Sequence, residues 1–570
     1  MEKEQLLEPN PSSDLVGGPD VIPGLSHGRV HIRFPGRRTM DDEEPHPQDH
    51  GLWVLSAAHG HARRDKEKPA VIDVGTGRTF TYTDLLVGAA AVRQTIVERL
   101  RADDSGDVQE QRIAFLVPAS ADYVNIQWGT WAAGGVAVPL CTSHPFAELE
   151  YVVADSKPSL IFLHQDFAQH KPAFQSTFPS IPIIDVPFPH AASPQTPRNP
   201  RIDPSRQALI IYTSGTTSKP KGCVSTHANI AFQATSLVQA WHYTPSDHLI
   251  HVLPLHHVHG IINGLTATLL AGGTVELHPK FDASAVWQRW MDGDSTLFMA
   301  VPTVYARLNS HFTQRIAGTA DEARAIDGAK RLRLAVSGSA ALPTTVKARF
   351  HEITGQVLLE RYGMTEVGMA LSCRYDNADG NGRPDGSVGW PLDGVYVRLM
   401  SDDGVIIPPS SETEGEIQIR GANVFEEYWE RPDATAKEFT DDGFFKTGDI
   451  AIRTRDGAYY IRGRSSVDII KSGGYKISAL DVERELLSAI PHITEAAVVG
   501  IPDDEWGERV AAVISLEDTT QETGVKEYRD LLRDRLAPYK IPTVWKVVER
   551  IERNAMGKVN KKQLVKDLWP

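Results

Sequence analysis

The sequence predicts an α/β protein: a large N-terminal domain of layered α/β sheets followed by a small C-terminal α+β domain. Three observations predict it. Between about Gly51 and Arg464, short apolar strands alternate with helical patterns, as layered α/β architecture requires. Ala208–Tyr212 is a continuous apolar run, which suits a strand covered on both faces. Beyond Arg464 the texture changes to a unit of roughly a hundred residues, large enough to fold alone. At 570 residues the chain is also too long for one core.

Taken in order, residues 1–50 are rich in Pro, Gly, Ser and acid and read as a disordered leader. Glu2, Glu4, Glu8, Asp14 and Asp20 are unlike an acid-poor transit peptide, although His27–Arg38 is basic enough to keep mitochondrial import open. Strands are expected at Ala208–Tyr212, Leu297–Val301, Leu332–Val336 and Val357–Glu360. A helix is expected from Thr226 to Trp241, with Thr226 as its cap. After Arg464, Val467–Lys471 reads as a strand and Ser478 to Asp481 as a capping box opening a helix. Ala496–Gly500 and Val510–Leu516 read as strands and Val525–Leu536 as an amphipathic helix. The expected spans are thus 1–50, 51–465 and 466–570.

A net charge of −14 without a long Lys/Arg stripe argues against nucleic acid or anionic lipid as the main partner. The longest apolar runs, such as Ile261–Ala271, fall short of the ~20 residues of a spanning helix. Cys141, Cys223 and Cys373 fit neither a disulfide framework nor a metal motif, which favours a reducing compartment, the cytoplasm first and the mitochondrion as alternative. The final Leu568-Trp569-Pro570 is not a peroxisomal tripeptide. The sequence does not determine oligomeric state.

Thr213-Ser-Gly-Thr-Thr-Ser-Lys-Pro-Lys-Gly222 combines hydroxyls, flexible backbone and two lysines, the makings of a phosphate cradle at a strand end. It is not a Walker loop, since Pro220-Lys221-Gly222 replaces the Gly-Lys-Ser/Thr ending. Downstream, Glu360 to Glu366 supplies a ring at Tyr362, a hydroxyl at Thr365 and a carboxylate at Glu366 suited to Mg²⁺. Phe445 to Asp449 and Tyr460 to Arg464 add groups suited to a ribose or phosphate. Asn554 to Val559 ends in a lone lysine, Lys558, beside glycine.

This ordered set resembles the adenylate-forming superfamily of acyl-coenzyme A synthetases, luciferases and adenylation domains, from about residue 50 to the end. The resemblance implies a mobile C-terminal domain that rotates between two half-reactions, using ATP, Mg²⁺ and coenzyme A as cofactor and co-substrates. Thr213, Ser214, Gly215, Thr216, Thr217 and Lys221 are then expected on the triphosphate. Tyr362 and Gly363 are expected at adenine, Thr365 at the α-phosphate, Glu366 on Mg²⁺, and Asp449 and Arg464 at the ribose. Lys558 would stabilise charge growing on the α-phosphate and carboxylate. Ser466 takes the hinge position, and Ser472, Gly473 and Gly474 would enter the site for the thioester step. Ser218 departs from the usual glycine, and Ser466 from the usual Asp or Lys.

The segment Leu253 to Gly260 resembles the family's acyl-pocket wall, with His257 facing the reacting carboxylate. The four histidines from His251 to His259 lack a carboxylate or cysteine at metal-site spacing, so a packed or hydrogen-bonded pair is expected. Arg307 and Arg361 would be costly beside a fatty-acid tunnel, whereas a second substrate carboxylate would satisfy them. With the stretches around them they resemble malonyl-coenzyme A synthetases, which implies a small dicarboxylate as substrate. The remaining alternatives are oxalate, methylmalonate or a fatty acid and, from another class, an inactive nucleotide-binding regulator.

Overall fold

In the computed structural model, residues 51–102, 106–186, 199–213, 219–377, 380–517, 524–553 and 558–569 are described. The expected leader, the loop Ser214 to Ser218 and the stretch Asn554 to Gly557 lie outside these residues. Among the described residues the strands form four sheets, of nine, seven, four and five strands.

The nine-stranded sheet has six parallel strands at its heart, among them Leu359–Met364, Leu334–Ser337, Leu297–Ala300 and His248–His251 as consecutive neighbours. Leu297–Ala300 and Leu334–Ser337 are almost entirely apolar because helices cover them. Trp287, Trp290, Tyr305, Phe298 and Phe350 pack one such face, each almost wholly buried. In the seven-stranded sheet, Gln207–Tyr212 runs parallel to Val136–Pro139 on one side and antiparallel to Gly222–Thr226 on the other. The strand Gly222–Thr226 has no counterpart in the sequence reading. The chain returns through it before the helix His227–Ala240, whose cap is Thr226 in a capping box with Asn229.

The four-stranded antiparallel sheet pairs Phe445–Arg453 with Tyr459–Arg464, setting Asp449 directly opposite Arg464. A turn at residues 465–468 then leads into the five-stranded sheet. There Ile469–Ser472, Ile493–Asp503 and Gly507–Leu516 pack the helices Ala479–Ala489 and Val525–Leu532 around Ile477, Leu486, Val498 and Ile514. Ser478 accepts a hydrogen bond from Asp481 N as a cap should. The helix Val525–Leu532 ends one turn short of the expected Leu536. No helix among the described residues is long and apolar enough to cross a membrane.

Candidate functional site

Parallel strands deliver their following loops to one edge of a sheet, and ligands of open α/β sheets gather there. The strand His248–His251 leads to His256 and His257, Leu334–Ser337 to Ser339, and Leu359–Met364 to Thr365 and Glu366. The turn after Leu359–Met364 depends on Gly363: a Cβ there would lie 2.0 Å from Gly368 O on the returning strand. Backbone cannot rotate out of such a clash, so Gly363→Ala should cost ~1–3 kcal/mol and shift Thr365 and Glu366. A lower Tm together with a raised KM for ATP is expected. Normal values of both would mean that the hairpin accommodates the methyl group.

Around this turn, side chains far apart in sequence form one chain of contacts. Tyr362 OH donates to Asp449 Oδ2 at 2.6 Å, and Arg464 Nε donates to Asp449 Oδ1 at 3.0 Å. The Asp449 charge holds the Arg464 guanidinium protonated above its usual range. Burial and the same carboxylate push the Tyr362 phenol well up, so it stays a donor. Glu366 is buried and accepts from Tyr428 OH at 2.8 Å. Burial raises its pKa against the pull of that bond and of Arg464 and Lys221. Lys221 Nζ stands 3.8 Å over the Tyr428 ring and 3.6 Å from Glu438. Thr213 N donates to Lys221 O at 3.0 Å and closes the base of the loop.

Lys558 reaches this cluster from the C-terminal end. Burial lowers its pKa, as do Arg464 and Arg361, while Asp449 and Glu366 raise it. The ammonium therefore lies within electrostatic reach of all four groups. Neither ring nitrogen of His257 has a hydrogen-bond partner among the described residues. Burial pulls its pKa well down, followed by the charges of His256 and Lys558, so the imidazole is neutral.

Arg361 is 4% exposed. One of its Nη atoms donates to Ser339 Oγ at 3.0 Å, and its Nε has no partner among the described residues. Burial alone lowers its pKa to about 9, which leaves it a cation at neutral pH. Arg307 is exposed, with its guanidinium 4.8 Å above the Phe281 ring. Ser466 is exposed in the turn between the sheets. Ser472 is buried, while Gly473 and Gly474, at φ +56° and +82°, form a two-residue hairpin turn, the left-handed geometry that glycine tolerates. Gly473 N donates to Trp506 O, and Gly474 faces open space.

The sequence reading missed one cluster. Cys141 is buried with its Sγ 3.2 Å from Ser143 Oγ. Burial raises the thiol, but hydrogen bonds with His144 and His256 outweigh it and bring its pKa to about 5. The His256 and His257 rings touch at a tilt, with centroids 4.1 Å apart and planes 53° from parallel. The remaining pair is hydrogen bonded, His251 to Gly260 O at 2.9 Å and His259 to Ser339 Oγ at 3.5 Å. Among the described residues no three His, Cys, Asp or Glu side chains form a metal-binding group.

Tyr362, Asp449, Arg464, Glu366 and Tyr428 thus form a set of contacts at a strand end, with Lys558 of the C-terminal region in electrostatic reach. The AMP-binding enzyme family model matches residues 59–429, the AMP-binding enzyme C-terminal domain matches 482–558, and the chain belongs to this family. Within it, the chain is 44% identical over 521 residues to the mitochondrial malonate–CoA ligase of Mus musculus, covering 86% of this chain and 87% of that one. In shape it is similar to the ATP-bound MatB from Rhodopseudomonas palustris, with a TM-score of 0.78, 31% identity and coverage of 90% and 100%. A malonyl-CoA ligase in a ternary product complex with methylmalonyl-CoA and AMP is 35% identical over 88% and 100%, yet has a TM-score of 0.62. The ATP-bound relative is the nearer in shape although the farther in sequence.

Proposed function

We propose that the chain is an AMP-forming malonate–CoA ligase. Malonate and ATP give malonyl-adenylate and pyrophosphate, and the thiol of coenzyme A then displaces AMP to give malonyl-CoA. The observation that carries this reading is Arg361, a buried guanidinium with no carboxylate partner among the described residues, beside His259 and the neutral His257. A buried cation without a counter-ion is costly, and a substrate's distal carboxylate would supply one.

In this reading the reacting carboxylate lies at His257, whose neutral ring can hydrogen-bond it without competing for its charge. Tyr362 stacks on adenine with Gly363 at its edge, and Asp449 and Arg464 hold the ribose. Thr213, Lys221 and the loop Ser214 to Thr217 cradle the triphosphate, and Thr365 meets the α-phosphate. Lys558 stabilises the charge that grows there. Glu366 fits Mg²⁺: its charged form is disfavoured by burial, and Mg²⁺ commonly binds one or two carboxylates together with substrate phosphates. The exposed turn at Gly473–Gly474 and the low-lying Lys558 suit the adenylating arrangement, and rotation at Ser466 would exchange them for the thioester step.

Ligation to coenzyme A across oxalate, malonate, methylmalonate, succinate, acetate and octanoate tests the proposal. Malonate is expected to lead in kcat/KM, and preference for acetate or octanoate would sink it. Methylmalonate should follow closely, since one methyl group discriminates by only ~1–3 kcal/mol and a related product complex holds methylmalonyl-CoA. Arg307 would join Arg361 only after leaving Phe281, so Arg307→Ala should raise KM for malonate by no more than about tenfold. No pyrophosphate release with any acid would favour a nucleotide-binding regulator instead.

A further inference from the structure

We propose that Lys561 is a positioning residue for Lys558, and that its ion pair with Asp468 supports the Asp468-to-Arg464 bonds that latch the chain in the adenylating arrangement. The inference rests on the ligase reading and extends it to the device that holds one of its two states.

Lys561 opens the helix Lys561–Leu568, whose cap Asn560 accepts from Gln563 N at 3.1 Å. It is only 8% exposed, unusual for a lysine. Its Nζ stands 2.6 Å from Asp468 Oδ1 and 2.7 Å from Glu483 Oε1. Both carboxylates are otherwise engaged: Glu483 Oε1 accepts from Val498 N at 2.8 Å, and Asp468 Oδ2 from Arg464 N at 3.0 Å. Burial works against the ammonium, but Glu483 and then Asp468 outweigh it and keep Lys561 charged.

The position of Asp468 gives the cluster its meaning. It lies two residues past Ser466, and its carboxylate reaches back across the turn to the backbone of Arg464, whose side chain holds Asp449. Asp468 N also donates to Arg464 O at 2.7 Å. Gly463 makes room for this fold-back: its φ is +129°, and a Cβ there would come within 2.4 Å of Asp468 Cβ. Any rotation at Ser466 must break the Asp468-to-Arg464 bonds. Lys561, Asp468 and Glu483 all follow Ser466 and would travel together.

Lys561 therefore has two effects. It orients Asp468 so that the second carboxylate oxygen caps Arg464. It also tethers Lys558, three residues away, within about 10 Å of a fixed buried point. Adenylation needs both, because Lys558 must meet the growing charge. The thioester step needs neither, because Lys558 is then withdrawn.

The test compares two half-reactions in the full-length enzyme: malonate-dependent exchange of pyrophosphate into ATP, and malonyl-CoA formation from preformed malonyl-adenylate. A misplaced catalytic group can cost roughly 10- to 100-fold, so Lys561→Met should slow exchange by that factor while thioester formation stays within about threefold. Lys561→Arg should recover most of the loss, and Asp468→Asn should reproduce it. Equal slowing of both half-reactions, or a loss that tracks a lowered Tm and is not rescued by Arg, would overturn the latch as a merely structural ion pair. Wild-type enzyme lacking malonate-dependent exchange would overturn the ligase reading itself, a failure visible before any variant is made.

Discussion

Replacing Arg361 by methionine is expected to collapse malonate activation without destabilising the protein. Truncating one partner of a buried, hydrogen-bonded charge pair costs about 2–5 kcal/mol, a fall in kcat/KM of about 30- to several-thousand-fold. The free enzyme should not suffer equally. Among the described residues Arg361 has Ser339 as a hydrogen-bond acceptor and no carboxylate partner, so the folded state bears a buried charge that they do not compensate. Exchanging such a charge for an apolar group of similar size is often neutral or stabilising. Tm should hold or rise, and short monocarboxylates such as butyrate should be used as well as by the wild type or better. A Tm that falls in step with activity would assign Arg361 to the core. Malonate turnover within threefold of wild type would remove it from the substrate site.

The contrast between Arg361 and Arg307 bears on what the sequence can say. Both are singled out by resemblance, and one physical cue separates them in hindsight. In the helix Pro302–His311 the buried residues are Pro302, Tyr305, Leu308 and Asn309, so helical periodicity turns position 307 away from the core. Arg361 lies in a strand buried on both faces, where alternation offers no exposed side to escape to. The parallel strands and their helices were legible for the same reason, since burial on two faces writes itself as a continuous apolar run.

The strand Gly222–Thr226 was not legible. Glycine, cysteine, serine and threonine carry no such signature, and the segment is buried only because it pairs with Gln207–Tyr212. Long-range side-chain contacts were equally silent. Tyr428 reaches Glu366 across 62 residues and Tyr362 reaches Asp449 across 87. Cys141 owes its lowered pKa to histidines on two different segments, and a count of cysteine spacings cannot register that.

Lys558→Ala should abolish adenylation while sparing the thioester step. In the proposed reaction Lys558 is the charge aimed at the reacting phosphorus, and removing one such preorganised group typically costs 10²–10³ in rate, about 2.7–4 kcal/mol. Its buried setting adds a pH signature. The group works as a cation, and its pKa is lowered chiefly by burial and then by Arg464. Its charge is therefore lost as pH rises through a value below the usual 10.5 of lysine. Pyrophosphate exchange in the wild type should accordingly fall on the alkaline side below that pH, and the residual exchange of Lys558→Ala should lack this limb. Malonyl-CoA formation from preformed malonyl-adenylate should be within a few-fold of wild type in the variant and show no such limb in either. If both half-reactions fell together, Lys558 would be holding the domains in register rather than stabilising charge. If the alkaline limb survived the substitution, the titrating group would be another.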